Sequence, residues 1–324
     1  MDIYVKKAII HQFSPDDTDL YLADKFLNIT PKIEEYLRKK IERVYSDEAQ
    51  TGIFEEDNLF LEMVSDDLLE TSVAIANRWK EEFIVSENQK TNDLVFIQFS
   101  KEGVEHFAFL RIALRETLTH LGGEVDNPIK LTQNNLPGFG TGADEALVIN
   151  LQSRKYHLIE KRIKYNGTFL NYFSENLLQA QPKISPKKSI KALEKTAQRI
   201  AESFNTDDFQ FQSKVKSAIF NHIEEENKLS PEKLADDLFD DNLTARLSFI
   251  DQVKEAIPEP VTFEEIDASR QLKKFENQKL SLSNGIELIV PNSVYEDAES
   301  VEFILNDNGT YSILIKNIED IQSK

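Results

Sequence analysis

The hydrophobic pattern changes period twice along the chain. Residues 3–13, IYVKKAIIHQF, mix β-branched and aromatic side chains as a strand does. Asp16, Asp17 and Asp19 after Pro15 mark a turn, and LYLADKFLNI predicts a second strand. Thr30-Pro31 followed by Glu34 has the form of a capping box. It predicts a helix to about Tyr45 that buries Ile33, Leu37, Ile41 and Val44. A longer helical pattern follows, with Leu61, Val64, Leu68, Val73, Ile75, Ala76 and Trp79 as its apolar set. DLVFIQFS and VEHFAFLRIAL alternate and are joined by Lys101-Glu102-Gly103, which predicts a hairpin. Pro128 to Leu136 and EALVINLQSRKYHLIEKRI add two more strand-like runs. This first stretch predicts an antiparallel sheet of about six strands with helices on one side.

From Gly167 to about Ile257 the period is helical, with helices expected over 168–180, 186–204, 207–227, 231–240 and 242–257. Pro186 and Ser230-Pro231 start two of them, and Pro258 and Pro260 close the block. From Lys273 the strand pattern returns in KFENQKLSL, IELIVP, SVEFILN and TYSILIKNI, with Asn284-Gly285 and Asn308-Gly309 as type I′ hairpin signals. The pattern predicts an α+β fold in three parts. Residues 1–165 form a mostly antiparallel sheet with flanking helices, 166–258 a central helical block, and 259–324 a small C-terminal β-rich unit.

Composition narrows the class. A chain of 324 residues exceeds the size at which one core keeps growing. The absence of Cys excludes disulfides and thiolate metal sites and fits a reducing cytoplasm. MDIYVKKAIIHQF lacks the apolar run of a signal peptide, and no window approaches the ~20 apolar residues of a membrane span. A cytoplasmic protein without a membrane partner is expected. The net charge of −19 opposes binding to nucleic acid or anionic lipid at long range, so any such binding needs a local patch.

One patch exists. Between Arg154 and Arg199 eleven Lys or Arg stand against three acids, a net +8, while the rest of the chain sums to −27. Two elements carry it: the cluster Lys161, Arg162 and Lys164 at the end of a strand, and the helix beginning at Pro186. On that helix Lys187, Lys188, Lys191, Lys195 and Arg199 cover about a third of the circumference, with Ile190, Leu193, Ala197, Ile200 and Phe204 opposite. Such a face suits DNA phosphates or an acidic protein surface, and its Lys-dominated chemistry implies backbone contact without base readout. The nearby Tyr165, Phe169, Tyr172 and Phe173 have the spacing of core residues rather than of a stacking platform.

No catalytic or metal signature accompanies the patch. His11, His106, His120, His157 and His222 lack metal-ligand spacing, and His222 with Glu225 and Glu226 reads as a solvated helix end. The glycines of GFGTG (Gly138, Gly140, Gly142) precede a strand-like run rather than a helix, so a connection is expected there and not a phosphate loop. Glu226-Asn227-Lys228, the one acid-x-Lys triplet, ends a helix rather than a strand. Asp66-Asp67 and Asp236-Asp237 are adjacent and therefore diverge on a helix.

The chain resembles the bacterial 37-kDa nucleoid-associated protein family over essentially its whole length. The resemblance rests on VKKAIIHQF, on LIEKRIKYNGTFLNYFSENL, on KKFENQKLSLSNGIELIVP with VEFILNDNGTYSILIKNI, and on a mass of 37.3 kDa. It implies a cytoplasmic protein that localises with the nucleoid and associates with DNA, with no enzymatic activity and no cofactor. Two readings follow. In the first, Lys161, Arg162, Lys164, Lys187, Lys188, Lys191, Lys195 and Arg199 contact DNA phosphates independently of sequence. In the second, an acidic interaction module reaches the nucleoid through a DNA-handling partner protein, and the basic helix forms part of an oligomer contact such as a homodimer.

Overall fold

The computed structural model describes residues 2–87, 89–120, 129–165, 167–205, 209–263 and 268–322. The chain divides into two compact units, Met1–Ser185 and Pro186–Lys324.

In the first unit, in chain order, are strands β1 (Ile3–Ser14) and β2 (Asp19–Tyr21), helix α1 (Pro31–Glu42) and strand β3 (Gln50–Ile53). A short α2 (Leu59–Glu62) and α3 (Leu68–Phe83) follow, then β4 (Asn92–Lys101) and β5 (Val104–Ala113). Next come β6 (Arg115–His120), β7 (Ile129–Asn135), β8 (Glu145–Asn150), β9 (Lys155–Ile159), β10 (Ile163–Tyr165), β11 (Thr168–Leu170) and a π-helical turn at Phe173–Leu177. Seven strands form one antiparallel sheet in the order β2-β1-β4-β5-β8-β9-β3.

The sheet is buried on both faces, not on one as the strand pattern suggested. The register aligns Ile9, Phe96, Phe109, Leu147 and Leu158 across five strands, and this row packs on α3 through Trp79 and Phe83. The neighbouring row, Ala8, Ile97, Ala108 and Val148, lies in a second core with Leu37 and Ile41 of α1. The physical reason is legible in β4 and β8, whose apolar runs are continuous rather than alternating, the mark of a strand covered twice.

Local signals account for the element ends. Thr30 Oγ1 accepts the Ile33 N–H at the start of α1, and Asp67 accepts the Leu69 and Glu70 N–H groups at the start of α3. Asn58 caps the separate α2, so the single long helical pattern around Leu61–Trp79 is two helices. Glu102 and Gly103 both have positive φ (53° and 83°), the geometry of a type I′ turn between β4 and β5.

The second unit contains α4 (Pro186–Ser203), α5 (Phe209–Glu226), β12 (Lys228–Leu229), α6 (Pro231–Leu238), α7 (Leu243–Ala256), β13 (Val261–Thr262) and α8 (Ser269–Phe275). β14 (Asn277–Ser281), β15 (Glu287–Pro291), α9 (Asn292–Tyr295), β16 (Val301–Leu305) and β17 (Tyr311–Ile315) complete it. Its core joins Ile190, Leu193, Ile219, Leu234, Phe249 and Phe275 from five helices. The β14–β15 hairpin is tied to those helices by buried amides. Gln278 Nε2 donates to Asn292 Oδ1 (2.8 Å) and to the Ser213 carbonyl of α5 (3.2 Å), and Asn292 Nδ2 donates to the Phe275 carbonyl of α8. At Asn284-Gly285 and Asn308-Gly309 only the glycines are left-handed (φ 85° and 79°). These hairpins therefore turn through a different geometry from the type I′ expected.

Of the helix expected over 168–180 only the π-helical turn at Phe173–Leu177 forms. Thr168–Leu170 pairs with β10, and Tyr172, Phe173, Leu177 and Leu178 pack into the Trp79 core of the first unit. That core supplies an apolar partner on a scale that local helical periodicity does not register.

His11 of β1 is fully buried on the α3 side. Its Nδ1 accepts the Ala23 N–H (3.0 Å), which places the ring proton on Nε2 facing Ser72 Oγ at 2.9 Å. Burial lowers its pKa from 6.5 to about 4. The unfolded chain therefore binds the extra proton between these values, and stability is full above pH 6.5 and falls as pH drops toward 4, by ~3 kcal/mol in total. In urea titrations the stability advantage of wild type over His11→Asn is expected to shrink by about that amount between pH 7 and pH 4. A difference independent of pH would contradict the assignment.

Candidate nucleic-acid interface

α4 is strongly amphipathic. Ile190, Leu193, Ala197 and Ile200 are buried, and Phe204 packs against the same core just beyond the helix end. The 3.6-residue period then leaves Lys187, Lys188, Lys191, Lys195 and Arg199 on the outer side, and all five are exposed.

Two features set this face apart from an ordinary solvated one. Lys187, Lys191, Lys195 and Arg199 follow one another at four-residue spacing, a column of like charges that destabilises an isolated helix by a few tenths of a kcal/mol per step. Lys187 and Lys188 also stand in the first turn, where the helix dipole opposes cations and where α4 has no acid. α1 and α3 do the reverse, with Glu34 and Glu70 in their first turns and Lys in their last. Among the described residues Lys188, Lys191 and Lys195 make no ion pair, and Glu194, the acid nearest them, faces Lys274 at 3.8 Å. Arg38 and Lys39 of α1, by contrast, meet Glu42 and Glu35.

Lys161, Arg162 and Lys164 belong to the first unit and α4 to the second. Lys161 Nζ lies 2.8 Å from Asp144, and Lys164 Nζ 2.8 Å from Glu87, so both charges are locally neutralised. Arg162 donates to the Phe169 carbonyl (3.3 Å). Of the aromatics, Tyr172 and Phe173 are buried in the core, whereas the Phe169 ring is 56% exposed. Beneath them Arg111 and Glu145 form a buried ion pair at 2.7 Å, with Asn92 Oδ1 on Arg111 and the Tyr172 hydroxyl on Glu145. Burial alone would lower the pKa of Arg111, but the charge and hydrogen bond of Glu145, with Tyr172 and Asp144, together outweigh it and keep the guanidinium protonated. Arg111 was not singled out by motif, although a cation inside the apolar run of β5 is the sequence sign of a buried pair.

The GFGTG segment serves a different chemistry from phosphate binding. A phosphate loop offers N–H groups, but here the carbonyls of Pro137, Gly138 and Thr141 accept from the ammonium of Lys40, which is fully buried. Burial, assisted by Arg43, lowers the Lys40 pKa to about 8. The acidic pairs diverge as their adjacency requires: Asp236 faces Arg246 (3.2 Å), while Asp237 faces His222 (2.7 Å). His222 is thus largely covered and held by α6, rather than forming a solvated cluster with Glu225 and Glu226. Among the described residues no group of His, Asp and Glu is placed to hold a metal ion, and no helix is long and apolar enough to cross a membrane.

The family model for the nucleoid-associated protein YejK matches residues 9–321, and the chain belongs to this family. No individual curated protein matches it significantly. The family is bacterial, is associated with the nucleoid and is not a family of enzymes.

The Lys40 cage yields a stability test. Lys40→Met strips the charged donor from three carbonyls and is expected to cost ~1–3 kcal/mol in urea unfolding. Gly140→Ala, whose added Cβ meets nothing within 4 Å, is expected to stay within ~0.5 kcal/mol of wild type. Comparable losses in the two variants would show that the glycines, not the cage, define this segment.

Proposed function

We propose that the chain binds the phosphate backbone of DNA, without reading base sequence, through the outer face of α4. The observation that carries this reading is the exposed cationic face of α4, on which Lys188, Lys191 and Lys195 meet no carboxylate among the described residues, in a chain of net charge −19. A helix with like-charge spacing and cations against its dipole is stabilised by a counter-charge supplied from outside, and this supports the reading. Lys187 and Lys188 sit where the first-turn N–H groups and the dipole also attract an anion, so phosphate there meets two favourable fields. Lys161, Arg162 and Lys164 act as a secondary contact, weaker because two of the three are already paired. The same electrostatics requires DNA affinity to be modest, since the remainder of the chain repels the duplex.

A second reading, docking on a basic DNA-handling protein, draws support from that acidic remainder. It predicts capture of a partner that survives nuclease treatment, with no duplex binding by the purified chain.

Reversing Lys187, Lys188, Lys191 and Lys195 together to Glu is expected to abolish duplex binding measured by fluorescence anisotropy. Thermal stability is expected to hold or rise, because Glu at the first turn gains ~0.3–1 kcal/mol per site from the dipole. Unchanged affinity in this variant would overturn the proposal.

A further inference from the structure

The first unit contains a cavity of about 250 Å³ whose named lining residues all belong to that unit. Its walls come from the linker after α3 (Ser86, Lys90), the end of β5 (Arg111), Asp144 just before β8, and the β10–β11 hairpin (Lys164, Phe169) with Arg162 just before it. Three independent features of these walls point to an anion.

The first is a buried hydroxyl. Ser86 is 8% exposed, and its Oγ has no hydrogen-bond partner among the described residues, a condition folded proteins avoid unless a ligand or water takes it up. The second is an incompletely used guanidinium. Arg111 is buried, its Nε is committed to Glu145 and its Nη1 to Asn92, while its Nη2 has no hydrogen bond to a described residue. The third is local charge. Glu145 answers Arg111, Glu87 answers Lys164, and Asp144 answers Lys161. Lys90 and Arg162 meet no carboxylate among the described residues, so these eight charged groups sum to +2 in a chain of −19.

Shape narrows the class of anion. The volume lies just below the usual range of small-molecule sites, larger than a phosphate needs and too small for an extended polymer. Ile163 and the half-exposed ring of Phe169 give one side an apolar, aromatic surface of the kind on which a base stacks. Arg162 is held by the Phe169 carbonyl, so cation and ring are delivered by the same hairpin.

We propose that this cavity is a nucleotide site: Arg162, Lys90, the free edge of Arg111 and Ser86 Oγ hold a single nucleoside phosphate, and Phe169 takes its base. The ligand chemistry is shared by a free nucleotide and by the 5′-phosphorylated end of a strand. The site does not depend on α4 and stands or falls separately from DNA binding by that helix.

Calorimetric titration of the full chain with dAMP tests it. Binding is expected, weakened ~10-fold or more in Arg162→Ala and in Ser86→Ala, with the thermal unfolding midpoint unchanged. Phe169→Ala is expected to weaken dAMP while leaving inorganic phosphate as in wild type. The four-fold α4 charge reversal is expected to bind dAMP like wild type, which separates failure of this site from failure of the helix. A short oligonucleotide that binds only with its 5′-phosphate identifies a strand end as an occupant, and binding of dAMP alone identifies the free nucleotide. Absence of dAMP binding at millimolar concentration, or equal affinity in Arg162→Ala, overturns the proposal.

Discussion

Burial of one face of α4 is the constraint on which the functional account depends. Ile190, Leu193, Ala197 and Ile200 are fixed in the core of the second unit, and each large side chain so buried contributes ~1.5–3 kcal/mol relative to exposure. With those residues held inward, the helical period leaves the column of cations no orientation but outward. Loosening the apolar contact would let the helix rotate and scatter the charge. The hydrophobic term, which carries no information about DNA, therefore sets the geometry of the electrostatic one.

Charge density alone would have weighted the two halves of the basic stretch equally, and the folded chain does not. Lys161 and Lys164 are held by Asp144 and Glu87, and a cation already paired at 2.8 Å gives up that contact before it gains a phosphate. Lys188, Lys191 and Lys195 have no such partner among the described residues. Exposed ion pairs are individually weak, so the paired cluster remains available as a secondary contact, but the balance favours α4. Arg162, the member of the cluster without a carboxylate partner among the described residues, lines a cavity where a hydroxyl without a described partner is also buried.

Much of this was legible from residue order. Thr30, Pro186 and Ser230-Pro231 marked helix starts that the structure keeps, and the face of α4 followed from spacing alone. What escaped were effects that depend on distant partners. Continuous apolar runs in β4 and β8 signalled a sheet covered on both sides, yet only the placement of α1 and α3 revealed it. Tyr172 and Phe173 have helical spacing, but the Trp79 core claims them: Trp79 Nε1 donates to the Tyr172 hydroxyl at 3.0 Å. The partners of Lys40, Lys161 and Lys164 lie 17 to 101 positions away at the nearest and farthest named contacts, beyond any local pattern. Glycines in GFGTG suggested backbone freedom, whereas the segment's role is to turn carbonyls toward a buried ammonium.

The central claim, that exposed α4 cations displace counterions from DNA phosphates, is tested most directly by titrating salt against the equilibrium binding of purified chain to a duplex. Each phosphate neutralised contributes roughly 0.9 to the slope of log affinity against log salt, so engagement of four or five cations predicts a slope of about −3.5 to −4.5. A slope near zero, or no binding even at low salt, would contradict the account.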